Sequence, residues 1–418
     1  MSQTRKILAQ HAGRETVEPG EFIEIPVDLV LANDITAPLA IEEFGKLGRK
    51  SVFDRDKVVM VLDHFTPNRD IASADQCAYV RQFALKQRLT NFYDGGNVGI
   101  EHVLLPEEGL IEPGMVVIGA DSHTCTYGAL GCFSTGMGST DIAAAMATGK
   151  TWLRVPEAVL VRLTGKPGRW VGGKDLIIHL IGILGVDGAT YRSLEFDGPG
   201  VGKVSVEGRL TVANMVIEAG AKNGIFPADR LAVAYLADAG VKASASGIEP
   251  DQYGYVDEMD IDLSALEPQV ALPSLPSNAV AVRQAPHVKL DQVVIGSCTN
   301  GRLEDLRLAA EVLRGKTVAP EIRLIIIPGS PRIYRKSMEE GLFDVFLDAG
   351  AIISPPTCGP CLGGHMGVLA AGEKALSTTN RNFVGRMGHR TSEVYLSNPA
   401  VAAASAVTGT ITDPEEII

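Results

Sequence analysis

Residues 293–306 read Val-Val-Ile-Gly-Ser-Cys-Thr-Asn-Gly-Arg-Leu-Glu-Asp-Leu. A β-branched apolar run ends abruptly in a Gly296-Ser297-Cys298-Thr299-Asn300 turn, and beyond it Leu303, Leu306, Ala310 and Leu313 fall on one helical face. The stretch therefore predicts strand, turn and helix in succession, with a cysteine at the turn. The same plan recurs along the chain. Val58 to Leu62 runs into Asp63-His64, and Met115 to Ile118 into Gly119-Ala120-Asp121-Ser122-His123. Leu324 to Ile327 runs into Pro328-Gly329-Ser330-Pro331, where Ser330 suits an N-cap and Pro331 the first helical position. Ala351 to Ile353 leads towards a second cysteine cluster. Strands alternating with helices predict an α/β fold of mainly parallel sheets covered by helices, in which ligands bind beyond the carboxyl ends of strands.

At 418 residues the chain exceeds one ordinary core. A proline-interrupted, acid-containing stretch from Ser244 to Pro286 reads as a linker, and a softer boundary falls at Trp152 to Pro156. These seams divide the chain into 1–155, 156–285 with the linker, and 286–418. Hydrophobic residues make up 45% and charged ones 21%, enough apolar material for a buried core. The 45 glycines gather in loops, which points to a site built from loops. With 38 basic and 50 acidic residues the net charge is −12, which argues against nucleic acid or an anionic membrane as partner. An anionic substrate must then be met by a few local arginines. No secretory signal and no run of membrane-span length occurs, so the expectation is a cytoplasmic protein, and its six cysteines read as thiols or metal ligands rather than disulfides.

Cys358-Gly359-Pro360-Cys361 has three physical readings. A dithiol redox pair needs only these two sulfurs, whereas Cys298 sits in an equally glycine- and serine-rich turn. Zinc would take Cys298, Cys358, Cys361 and His365, in the manner of a site that ties down a small module. An iron–sulfur cluster on three thiolates would leave one iron open to substrate, as a Lewis acid. Cys125 and Cys132 fit no common ligand spacing and, with Cys77, are left out of the site. A second constellation sets histidines beside carboxylates: Asp63-His64, Glu101-His102 and Asp121-Ser122-His123. Such a carboxylate can keep an imidazole charged and oriented to protonate a departing hydroxyl. A third is Asn380-Arg381-Asn382-Phe383-Val384-Gly385-Arg386, whose two arginines suit paired donation to a substrate carboxylate. Gly149-Lys150-Thr151 ends like a phosphate-binding loop, but Ala144 stands where that loop requires glycine, so nucleotide binding is not expected.

In combination, Asp121-Ser122-His123-Thr124, Gly296 to Asn300, Cys358 to Cys361 and Asn380 to Arg386 resemble the aconitase superfamily over essentially the whole chain. The resemblance implies three α/β/α domains without the family's swivel domain. It implies that Cys298, Cys358 and Cys361 hold one [4Fe-4S] cluster per chain. Asp63, His64, His102, Asp121, His123 and Glu218 match the family's catalytic carboxylates and histidines, with His64 as proton donor to the hydroxyl. Asn33, Ser122, Asn214, Asn380, Arg381 and Arg386 match positions that line the site and orient substrate carboxylates. Single-chain members carry the base for C–H abstraction in a Ser-Ser-Arg loop, which this sequence lacks. A separate small subunit carrying the swivel domain is therefore expected, in a heterodimer or heterotetramer. The implied reaction is dehydration and rehydration that moves a hydroxyl to the neighbouring carbon of a hydroxy-dicarboxylate. It would be 2-isopropylmalate to 3-isopropylmalate in leucine biosynthesis, or homocitrate chemistry in lysine biosynthesis.

Overall fold

Each strand–turn–helix unit of the sequence adds a strand to one of three open sheets, in a computed structural model that describes residues 1–243 and 254–418. The part of the expected seam from Ser244 to Tyr253, including Pro250, lies outside the described residues. The first sheet is wholly parallel, in the order Asn91–Tyr93, Val58–Val61, Leu29–Asn33, Val116–Gly119, Phe133–Gly136. Its strands are buried on both faces. Leu29, Leu31, Val59 and Val61 enter one apolar core, while Val30, Ala32, Val58 and Met60 enter another. Burial on both faces is why these strands read as continuous hydrophobic runs rather than alternating ones.

Four more parallel strands, Asn223–Ile225, Ser193–Asp197, Ala158–Thr164 and Asp257–Asp262, form the second sheet. The edge strand Asp257–Asp262 is mostly exposed and acid-rich, which blunts an edge that would otherwise pair with another chain. The third sheet has seven strands, ordered Ala279–Ala281, Gln269–Ala271, Glu393–Ser397, Lys374–Ser377, Gln292–Ile295, Arg323–Ile326, Ile352–Ile353. Its first two strands are antiparallel additions drawn from the segment expected to be linker, so the chain enters this sheet well before residue 286. Proline beside these short strands hides them from a sequence pattern, and at a sheet edge proline is tolerated.

Both larger sheets are wound outwards in two directions from a central strand. The direction reverses between Leu29–Asn33 and Val116–Gly119 in the first, and between Gln292–Ile295 and Lys374–Ser377 in the third. Crevices at such reversals are where open α/β sheets bind ligands. One apolar core runs through all three sheets, and the lobes lie in direct contact. Gly128 illustrates how close: a Cβ there would lie 2.0 Å from the Gly224 carbonyl oxygen in the second sheet. The helix Ser139–Thr148 ends at Gly149 (φ +72°) and Lys150 begins a strand, so no phosphate loop forms there.

Candidate active site

The third sheet delivers its cysteine through a strained turn. After Gln292–Ile295 the backbone passes through Gly296 at φ +150°, where a Cβ would lie 2.5 Å from the Ile327 carbonyl oxygen. Ser297 follows at φ +75°, a left-handed conformation that costs a non-glycine residue ~1–2 kcal/mol and needs the surroundings to hold it. Cys298 then lies in the single helical turn Ser297–Asn300. Arg302, fully buried, turns back on this loop. Its Nη1 donates to the carbonyls of Cys298 (2.9 Å) and Thr299 (2.8 Å), and its Nη2 to the carbonyl of His102 (3.2 Å). The neighbouring strand Lys374–Ser377 ends at Thr378, whose hydroxyl accepts from Gly296 N (2.9 Å) and donates to Gly296 O (3.0 Å).

That registration sets Asn380 between two sulfurs. Its Nδ2 donates to Cys298 Sγ (3.2 Å) and to Asn214 Oδ1 (3.1 Å), and its Oδ1 accepts from Cys361 Sγ (3.3 Å). Cys358 is anchored to the first sheet, its N–H and the Thr357 hydroxyl both donating to the Asp63 carbonyl (3.0 and 2.7 Å). All three cysteines are buried. Burial and the nearby Cys361 push the Cys298 thiol up to about 12. The hydrogen bond from Cys358 and the Arg386 guanidinium, against burial, hold Cys361 well below the usual thiol range. Arg386 Nη2 is 3.9 Å from that sulfur.

The first sheet contributes acid–base pairs. His64 Nδ1 lies 2.6 Å from Asp63 Oδ1 and 3.3 Å from Asp34 Oδ1, while Asp34 also accepts from the N–H groups of His64 (3.1 Å) and Phe65 (2.8 Å). Burial favours the neutral ring, but the two carboxylates outweigh it and hold the His64 pKa well above 6.5. His64 is thus an imidazolium whose Nε2 is not taken up by these bonds. His102 is spanned by Tyr127 OH at Nδ1 (3.1 Å) and Asp121 Oδ1 at Nε2 (3.0 Å), and burial keeps its pKa below 6.5. His123 places Nε2 3.0 Å from Glu218 Oε1 and Nδ1 3.3 Å from Asp121, whose carboxylates raise its pKa against burial. Glu218 Oε1 accepts in addition from Arg381 Nε at 2.7 Å. Burial, then Asp63 and Asp121, push the Glu101 carboxyl well above the usual carboxylate range. Its Oε1 accepts from Asn33 Nδ2 (2.8 Å), and its Oε2 has no partner.

One small cavity of ≈ 20 Å³ gathers these groups, with Asp63, His64, Glu101, His102, Asp121, His123, Cys298, Cys358, Cys361, Asn380 and Arg386 in its wall. Asn33, Asn214, Glu218 and Arg381 stand behind that wall, each bonded to a residue of it or to a neighbour, and Ser122 opens the turn that carries His123. His365, the fourth ligand of the zinc reading, is not in the wall. Cys125 and Cys132 are buried with their thiols on backbone carbonyls. The sequence reading missed Asp34, Glu101 as a lining residue, Tyr127 and Arg302. Asp34 has a local signal, an acid at the end of a buried strand, as does Glu101 beside His102.

The model of the aconitase family (aconitate hydratase) matches residues 5–288 and 283–409. The chain is 61% identical to the 3-isopropylmalate dehydratase large subunit of Moorella thermoacetica over 423 residues, covering 100% of this chain and 99% of that one. It is 58% identical to the protein of the same description from Acetivibrio thermocellus, with both chains covered completely (100%), and 56% identical to that of Clostridium kluyveri, again with 100% of each covered. Among solved structures, Thermococcus kodakaraensis aconitase X (holo-form) superposes with a TM-score of 0.50 at 15% identity, over 85% of this chain and 84% of that one, a likeness of fold. Its parallel sheets, its full-length relatives and the matched family model agree: the chain belongs to the aconitase family.

Proposed function

We propose that this chain is the large catalytic subunit of a 3-isopropylmalate dehydratase, and that Cys298, Cys358 and Cys361 hold one [4Fe-4S] cluster. The observation that carries the reading is the single wall in which three buried thiols stand opposite three carboxylate-paired histidines. Sulfur-only donors at the ends of two strands suit iron–sulfur chemistry, and the unpartnered Nε of Arg386 and Oε2 of Glu101 are buried polar atoms that a charged occupant would satisfy. When bound through three thiolates, such a cluster supplies a Lewis acid at the one iron without a protein ligand.

The chain's own residues do the rest. His64, kept protonated by Asp63 and Asp34, presents its Nε2 proton to the departing hydroxyl. Asp34 and Asp63 orient the ring as well as charge it. Arg386 lines the cavity and would meet a substrate carboxylate, and Arg381, tethered to Glu218 behind the wall, would meet the other as the substrate enters. Glu101 lines the same cavity, its carboxyl held by Asn33 and raised by burial, Asp63 and Asp121. The base that removes the C–H proton and the surface that reads the substrate's side group would come from a small subunit, in a heterodimer or heterotetramer in the cytoplasm. That the relatives are large subunits supports such a partner.

The test is anaerobic co-purification with candidate small subunits and reconstitution with iron and sulfide, followed by assays with isopropylmalate and homocitrate. Turnover of isopropylmalate is expected. Preference for homocitrate would shift the assignment to homoaconitase. A colourless protein that takes up no iron, with Cys298 dispensable, would favour a dithiol oxidoreductase using Cys358 and Cys361.

A further inference from the structure

Lys174 is fully buried, at 1% exposure, in the helix Gly173–Leu184 of the second lobe, yet it has no carboxylate partner among the described residues. Its Nζ donates to the carbonyls of Thr378 and Thr379, both at 2.8 Å, and approaches Met215 Sδ at 3.3 Å. All three partners are neutral. The two carboxylates in its neighbourhood are occupied elsewhere: Asp175 by the N–H groups of Gly172 and Gln269 and by Asn398, and Asp305 by Asn300 and the Arg302 N–H. Burial has also pushed both acids up to about 6, which weakens them as counter-charges. An ammonium buried among dipoles alone is costly, and burial pulls the Lys174 pKa down to about 7. Geometry ties it to the sulfurs: the Thr378 carbonyl that it holds also accepts from the hydroxyl of Thr299, the residue after Cys298, at 2.6 Å. The carbonyls it holds immediately precede Asn380, the residue bonded to both Cys298 and Cys361.

We infer that Lys174 is the buried counter-charge of the thiolate-held cluster, set one residue layer behind the sulfurs to favour the more negative state of that group. The inference rests on the cluster assignment above. Three thiolates and a four-iron, four-sulfur core carry net negative charge, which would favour the protonated form of Lys174, and the resulting cation stabilises the form with one more electron. Lys174 is a positioning and charge-setting residue and touches neither substrate nor metal.

The measurement is the one-electron midpoint potential of the anaerobically reconstituted chain, followed by electron paramagnetic resonance during a mediated titration. Lys174→Gln and Lys174→Met remove the charge, and Lys174→Arg keeps it. At a fixed applied potential the neutral variants are expected to hold at least tenfold less reduced cluster relative to oxidised, about 59 mV for one electron, while Lys174→Arg stays within twofold of wild type. A purely structural lysine would alter iron loading or melting temperature without moving the potential. Loaded neutral variants with an unshifted potential overturn the inference. Wild type that takes up no iron and sulfide overturns the cluster reading itself, a separate outcome. If the neutral variants do not fold, Met215→Glu sets a carboxylate against the ammonium and must lower the potential in the same direction, with Met215→Gln as control. No shift in Met215→Glu likewise overturns the inference.

Discussion

Glu218→Gln tests how the second lobe governs the site. The carboxylate oxygen Oε1 accepts from Arg381 Nε at 2.7 Å and lies 3.0 Å from His123 Nε2, so one buried oxygen serves two cationic groups. Glutamine keeps the shape and an accepting oxygen but removes the negative charge that both groups face. Stranding one partner of a fully buried ion pair costs ~3–5 kcal/mol. The Arg381 side chain is 20% exposed, however, and the solvent it reaches lowers the expected cost to ~2–3 kcal/mol. If this is lost from transition-state binding, through a displaced Arg381 and a deprotonated His123, kcat/KM falls about 30- to 160-fold. The assay is steady-state turnover by the reconstituted two-subunit enzyme. A metal-free thermal scan supplies a second readout: at this chain length each kcal/mol shifts the midpoint by about 1–2 °C. Glu218→Gln with Arg381→Met should regain ~1–2 kcal/mol relative to the sum of the single variants, because no cation is then stranded. A kcat/KM within threefold of wild type, or strictly additive single effects, refutes this account of the pair.

Three further outcomes follow from the site geometry. The raised His64 pKa means that its charge-linked stabilisation is complete at and below pH 6.5 and disappears as pH climbs through the raised value, so activity should fall on the alkaline side; Asp63→Asn, leaving only Asp34, should move that limb of the kcat/KM profile to lower pH, and an unmoved limb counts against His64 as the proton donor. Cys298→Ala should abolish the visible absorbance gained on anaerobic reconstitution while leaving far-ultraviolet circular dichroism unchanged, whereas retained absorbance removes Cys298 from the ligand set. Gly296→Ala places a methyl group 2.5 Å from the Ile327 carbonyl oxygen at φ +150° and should cost ~2–4 kcal/mol, read as iron content below half of wild type; full iron content would show that the turn can relax.

The strands that carry the site were legible because they are buried on both faces: Val58–Val61 and Val293–Ile295 read as unbroken apolar runs, and each is followed by its reactive residues. Ser330 and Pro331 likewise announced the helix Pro331–Glu339, with the serine hydroxyl capping Ile333 N. Glu218 and Asn214 lack such a local signature, and family likeness rather than pattern singled them out. Arg302 and Asp34 could not be ranked from sequence, since Arg302 acts on a carbonyl 200 positions away and Asp34 on a histidine 30 positions away. The strands Gln269–Ala271 and Ala279–Ala281 were hidden for another reason, being short, alanine-containing and bracketed by proline.

The reversal points of two separate sheets open onto the same space, with the Asp63 carbonyl receiving Thr357 and Cys358 and the His102 carbonyl receiving Arg302. The three thiols that would hold a metal centre there, Cys298, Cys358 and Cys361, all come from 286–418 and follow strands of one sheet. Its uptake therefore needs only that part of the chain to be folded, while the hydrogen bonds to the Asp63 and His102 carbonyls register the first sheet against it. Colour on reconstitution would then report the folding of the cysteine-bearing part, and turnover the docking of the histidines onto it.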